Sequence, residues 1–372
     1  MTSAGRTADG ALALAERIFV MLGRGGFVAT YKYAVLLALL DLCLERTSGQ
    51  GAPPTSLDTR ELAEKVVQLY WPHTMPYGAG RSALVLRQSN AGQAELVGLI
   101  ARFRKRHAPG PSASLGRARA EAAEAFERLV RAVEWKLIEM PLPRLQIVGR
   151  QEDRFLYQIG WDSAVKSSTV RAYQAGERDA FDNRILLLPS VGAHLVRLNG
   201  LLRPFIHREW AAKVADLNAL EEARLERFLF GADRQPTAAL RGPLRELQED
   251  RCFYCGERLQ RRVEVDHFIP WARYPDDAVE NLVAADARCN AAKRDFLASG
   301  AHLGRWMERL TAQAADLGQI AKKASWESRA PATGSVARAI YLGLPDGVDL
   351  WVAGDRFEPS SHDDLIRALR AA

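Results

Sequence analysis

The sequence predicts an α+β protein that is predominantly helical, with one small strand–strand–helix unit set toward its C-terminal end. Three observations carry this. Apolar residues recur at helical spacing over long stretches, near 30–45, 57–71, 117–138, 191–229 and 301–325. β-rich runs are short and scattered. One stretch, "VEVDHFIPWARYPDDAVENLVAADARCNAAKRD" at 263–295, arranges two short apolar runs and a helix-like segment around an Asp-His pair and two asparagines.

The first helical stretch, "TYKYAVLLALLDLCLE" (30–45), is apolar almost throughout and reads as a mostly buried helix, with Cys43 as core. The loop "RTSGQGAPPTS" follows. "LDTRELAEKVVQLYW" then opens with a helix start: Asp58 caps, Glu61 stands three residues on, and Leu57 can staple against Leu62. Two short helices in this order, in a basic chain, suit a helix-turn-helix or winged-helix DNA-binding domain; a plain helical domain without DNA contact is the alternative. The next helical run ends in Arg102, Arg104, Lys105, Arg106 and His107, either a phosphate-contacting helix end or a solvated face.

The small-residue stretch "APGPSASLG" (108–116) marks a boundary. Beyond it come an alanine-rich helix over 117–138, a hairpin over 144–161, and a helical region over 191–229 broken near Pro204. A last helix is expected near 362–371. The expected division is therefore 1–110 helical and winged-helix-like, 111–240 a mostly helical middle domain, 241–300 the strand–strand–helix unit, and 301–372 a helical C-terminal segment.

Length and charge bound the function. At 372 residues two or three domains are expected. A formal charge of +6 is compatible with a polyanionic partner. "GRGG" (23–26) and "GAGRS" (78–82) lack the spacing of a nucleotide phosphate loop, and "LPSVG" (188–192) lacks the first glycine of a serine-hydrolase elbow. The start of the chain has no secretory pattern, because Glu16 and Arg17 interrupt its apolar run, and no apolar stretch reaches the ~18 residues of a membrane span. A cytoplasmic protein with no membrane partner is expected.

The chemistry concentrates in one segment. "CFYC" (252–255) precedes "VDHFIPW", "NLVAADARCN" and Lys293, and the order His267, Asn281, Asn290 has separations of fourteen and nine residues. This ordered set resembles the HNH endonuclease family, also called ββα-metal nucleases, over about residues 250–298. The resemblance implies a ββα-metal fold and a metal-dependent phosphodiester hydrolase. Such a reaction needs a deprotonated water, a cation near the phosphate and help for the leaving oxygen. His267 suits the base. Asp266 would point to the other side of the strand, so Asp266 and Asn290 would hold Mg²⁺ or Mn²⁺ through oxygen. By resemblance, Asn281 constrains the loop and helps orient His267. Lys293, one turn after Asn290, can reach a phosphate or face solvent. The six other histidines (73, 107, 194, 207, 302 and 362) lack such company and read as structural or exposed.

Many HNH proteins also carry two Cys-x-x-Cys pairs around a structural zinc. Here Cys252 and Cys255 form the first pair, and Asp286 stands where the second would have its first cysteine before Cys289. A Cys252, Cys255, Cys289 and Asp286 zinc site is one reading; packing cysteines, with Asp286 as a helix cap, is the other. The function implied is a metal-dependent HNH endonuclease acting on DNA, in restriction or phage defence, with a homodimer or a defence-system protein as candidate partner. An RNA nuclease or toxin of the same chemistry is one alternative; a non-catalytic DNA-binding or scaffold protein is the other.

Overall fold

The computed structural model describes residues 3–24, 29–78, 84–110, 113–148, 151–230, 237–260 and 262–370. It divides into two compact units. One holds residues 1–43 and 54–233; the other holds 44–53 and 234–372. No described helix is long and apolar enough to cross a membrane.

The first unit is mostly helical. In the helix Tyr31–Glu45 the run from Ala34 to Leu40 is buried at every position, as a helix apolar on all sides must be. Helix Thr59–Tyr70 starts where the capping signal predicts, with Asp58 Oδ1 accepting the Glu61 N–H at 2.9 Å. It packs on Ala123–Glu139, which also receives Glu95–His107. Residues from both sides of the 108–116 stretch thus share one core.

Strands Ser56–Asp58, Arg184–Leu187 and Tyr157–Ile159 form an antiparallel sheet in that order, with Leu57 opposite Ile185 and Gln158 opposite Leu186. The hairpin expected over 144–161 is shorter: Ile147–Val148 pairs with Gln151–Glu152, and Tyr157–Ile159 joins Arg184–Leu187 instead. The expected break near Pro204 is absent too. One helix runs from Val191 to Asn218 through the proline and ends at Ala219, in the left-handed region at φ 53°. A proline inside a helix costs about 3 kcal/mol. Burial of Leu195, Leu202, Ile206, Trp210 and Val214 along that helix offsets it.

The second unit is built around strands Val263–His267 and Leu282–Asp286, paired antiparallel with Asp266 opposite Val283 and His267 opposite Leu282. Helix Ala287–Lys293 packs on both strands, and helix Ala238–Leu247 lies against them as well. Strand 282–286 is buried from Leu282 through Ala285, which explains why it reads as continuously apolar rather than alternating. Helices Gly300–Ala312 and Ala330–Leu342 complete the core: Phe268 stacks on Trp306, centroids 4.6 Å apart and 11° from parallel, and faces Tyr341 at 6.5 Å. A hairpin, Asp349–Ala353 with Arg356–Pro359, bridges Ala298 through Trp351. The C-terminal segment is therefore part of the same compact unit as the strand–strand–helix element.

Candidate active site

Strand geometry separates Asp266 from His267. Successive side chains point to opposite faces, so each meets a different environment although both are nearly buried. His267 faces the loop that joins the two strands. Its Nε2 lies 2.8 Å from Asp277 Oδ1, and its ring meets Trp271 edge to face at 5.3 Å. An ionised carboxylate can only accept, so Nε2 carries the proton and Nδ1 is the basic nitrogen. Among the described residues no partner reaches Nδ1.

The loop is held by Asn281, which is fully buried. Its Oδ1 accepts the Ile269 N–H at 2.8 Å, and its Nδ2 donates to the carbonyls of Ile269 at 3.1 Å and Asp276 at 3.0 Å. The Asn281 carbonyl also accepts from the Phe268 N–H at 2.8 Å. One amide thus closes both ends of the loop that carries Asp277. A second anchor is Asp276, 1% exposed, which accepts from Thr333 at 2.7 Å, Arg329 at 2.8 Å and the Ala278 N–H at 2.9 Å. Burial alone would raise its pKa. The Arg329 guanidinium and these hydrogen bonds outweigh burial and hold the carboxyl below its ordinary value. Trp326 donates to the Asp277 carbonyl, so residues well beyond the strand pair fix the histidine's partner.

Asp266 turns the other way. Its Oδ2 accepts from the Tyr254 hydroxyl at 2.5 Å and from Lys293 Nζ at 3.0 Å. No donor among the described residues reaches Oδ1. Asn290 lies half-buried on the following helix, and its side-chain amide has no partner among the described residues. Two oxygen donors left open on adjoining elements fit a hard divalent cation.

Lys293 corrects the expectation of a phosphate contact. It is fully buried, and its ammonium is satisfied by Asp266 and by the His267 carbonyl at 2.9 Å. A buried ammonium must be paired in this way, so Lys293 braces the strand from within. Arg104 is corrected on the same ground. It is 7% exposed, its guanidinium sits 4.6 Å over the Trp71 ring, and it donates to the Trp71 carbonyl at 3.0 Å. Arg102, Lys105 and Arg106 remain exposed.

The sulfurs of Cys252, Cys255 and Cys289 lie within 4.8 Å of one another. Asp286 is not among them. Its carboxylate caps the helix, accepting the Arg288 N–H at 2.9 Å and pairing with the Arg288 side chain. That is the reading in which aspartate serves the helix and not a metal. His302 is also engaged, bonding the Val352 carbonyl at 2.8 Å and the Arg305 guanidinium. The three thiols could hold a zinc ion. Burial, then the neighbouring sulfurs of Cys252 and Cys255, push the Cys289 thiol well up, a crowding that a bound cation relieves. The Asp286 N–H donates to Cys252 Sγ at 3.2 Å. If zinc occupies the cluster, metal analysis should find about one zinc per chain, and Cys252→Ser should lose it together with several degrees of thermal stability. Zinc-free reduced protein of unchanged melting temperature would leave the cysteines as packing residues.

Residues 252–299 match the family model of the HNH endonucleases. This segment is an HNH domain. No curated protein and no solved structure matches the chain. The HNH domain spans the thiol cluster, both strands and the helix, and it contains Asp266, His267 and Asn281 with their side-chain partners Tyr254, Lys293 and Asp277, while Trp326, Arg329 and Thr333 hold Asp276 and Asp277 from beyond it. Asp276, Asp277 and Tyr254 escaped sequence reasoning. "YPDDAVE" reads as turn composition, and a tyrosine between two cysteines reads as packing. The signal available was the acidic pair placed just ahead of Asn281.

Proposed function

We propose that the chain is a metal-dependent endonuclease that hydrolyses DNA phosphodiester bonds. The observation that carries this reading is the pair of open groups on consecutive residues: Nδ1 of a histidine whose other nitrogen is held by Asp277, and Oδ1 of Asp266. A divalent cation held by Asp266 and Asn290 would supply positive charge beside the phosphate. His267 Nδ1 takes a proton from water as the water oxygen bonds to phosphorus. The bond from phosphorus to the departing sugar oxygen breaks, and that oxygen takes a proton from solvent. Asp277 stabilises the imidazolium formed.

The domain is small, so selectivity for a sequence or a DNA structure falls to the rest of the chain. A role in restriction or phage defence suits that division of labour. Exposed Arg102, Lys105 and Arg106 are the candidate phosphate-binding groups in the first unit. Changing all three to glutamine should weaken duplex binding and flatten the log–log salt slope by up to ~0.9 for each phosphate interaction removed. An unchanged slope would make them a solvated face. Substrate class is tested by offering wild-type protein supercoiled plasmid, single-stranded DNA and RNA with Mg²⁺, and again with EDTA. Magnesium-dependent cutting of plasmid is expected; cutting of RNA alone would replace DNA as the substrate.

A further inference from the structure

We propose that Tyr254 is a positioning residue for the cation site, fixing the carboxylate of Asp266 so that one defined oxygen faces the cation. This rests on the reading of Asp266 as a cation ligand. Tyr254 lies inside the Cys252–Cys255 turn, so its ring is carried by the thiol cluster. It is 4% exposed and packs edge-on against Trp351, centroids 5.1 Å apart, and His302, at 5.4 Å, which stack on one another. Arg305 donates to its backbone carbonyl at 3.1 Å. Neither ring nor backbone is free to swing, and the hydroxyl is delivered to Asp266 Oδ2 at 2.5 Å.

Lys293 reaches the same oxygen from the helix side. Two donors from different elements converge on Oδ2, and that convergence sets the rotation of the carboxylate. Oδ1 is then presented open. With Lys293 alone the carboxylate could pivot about a single partner, and both oxygens would exchange between lysine and cation. Partners that hydrogen-bond a ligating carboxylate typically control 10–100-fold in metal affinity or activity. Tyrosine does this without adding charge, whereas a second lysine would compete with the cation for the carboxylate.

Tyr254→Phe removes the hydroxyl and keeps the ring. The full chain is titrated with Mn²⁺ and free ion is read by electron paramagnetic resonance, beside wild type and Asp266→Asn. Melting temperature is followed for all three. Mn²⁺ affinity should fall about tenfold in Tyr254→Phe and further in Asp266→Asn. The Mn²⁺ concentration for half-maximal cleavage should rise by the same factor, while the rate at saturating Mn²⁺ stays within a few-fold. A hydroxyl that served stability alone would lower the melting temperature and leave Mn²⁺ affinity unchanged, which overturns the proposal while the cation site stands. Wild-type affinity in Asp266→Asn would overturn the cation site itself and this inference with it.

Discussion

Asp277→Asn should slow cleavage by about 10²–10⁴-fold, close to the loss expected from removing the base itself. The reason is tautomeric. The carboxylate accepts from Nε2 at 2.8 Å and so keeps Nδ1 free to take a proton. An asparagine at the same place can turn its NH₂ toward Nε2, which then becomes the acceptor, and the proton moves to Nδ1. The base is present but loaded the wrong way round. Size and shape barely change, and the loop is held by Asn281 and Asp276, so DNA affinity and melting temperature should stay near wild type. Single-turnover cleavage is the measurement. A wild-type rate would show that Asp277 only packs against the ring.

The second large effect is at Asp266. A catalytic cation contributes several kcal/mol to transition-state charge stabilisation, and each ~1.4 kcal/mol is a factor of ten in rate. Asp266→Asn should therefore cost roughly 10²–10³-fold in cleavage at moderate Mg²⁺, with partial recovery as Mg²⁺ rises. Asparagine is the better replacement because alanine does two things at once. It removes the ligand, and it leaves the fully buried Lys293 ammonium with the His267 carbonyl alone, whereas asparagine keeps a side-chain oxygen for that ammonium to donate to. Breaking a buried pair by removing one partner costs about 3–5 kcal/mol, so both variants should melt lower, the alanine variant more so because it also removes the acceptor oxygen. An Asp266→Asn protein that cuts at the wild-type rate with the same Mg²⁺ requirement would move the cation elsewhere.

The strand–strand–helix unit was legible because its signals are local. Short apolar runs, turn residues and the Asp286 cap each act within a few residues, and His267 and Asn281 sit at the spacing of the HNH pattern that they resemble. What was not legible depends on partners distant in sequence. Nothing near Lys293 says whether its stem points to solvent or inward; burial beneath Tyr254 and Asp266 decides it. Arg104 belongs to a run of four cations over five positions, yet helix periodicity turns it alone toward Trp71 while Arg102, Lys105 and Arg106 face out. The partners of Asp276 lie fifty-three and fifty-seven residues downstream, at Arg329 and Thr333. The helix through Pro204 is a tertiary override of a local rule, stabilised by the buried face of Val191–Asn218.

Whether His267 is the general base of a nuclease is tested most directly by single-turnover nicking of supercoiled plasmid at saturating Mg²⁺. Wild type and His267→Ala are prepared side by side with matched melting temperatures. Wild type should nick, and the variant should be slower by at least about 10²-fold, with DNA binding retained. A His267→Ala protein that nicks within a few-fold of wild type would contradict the assignment.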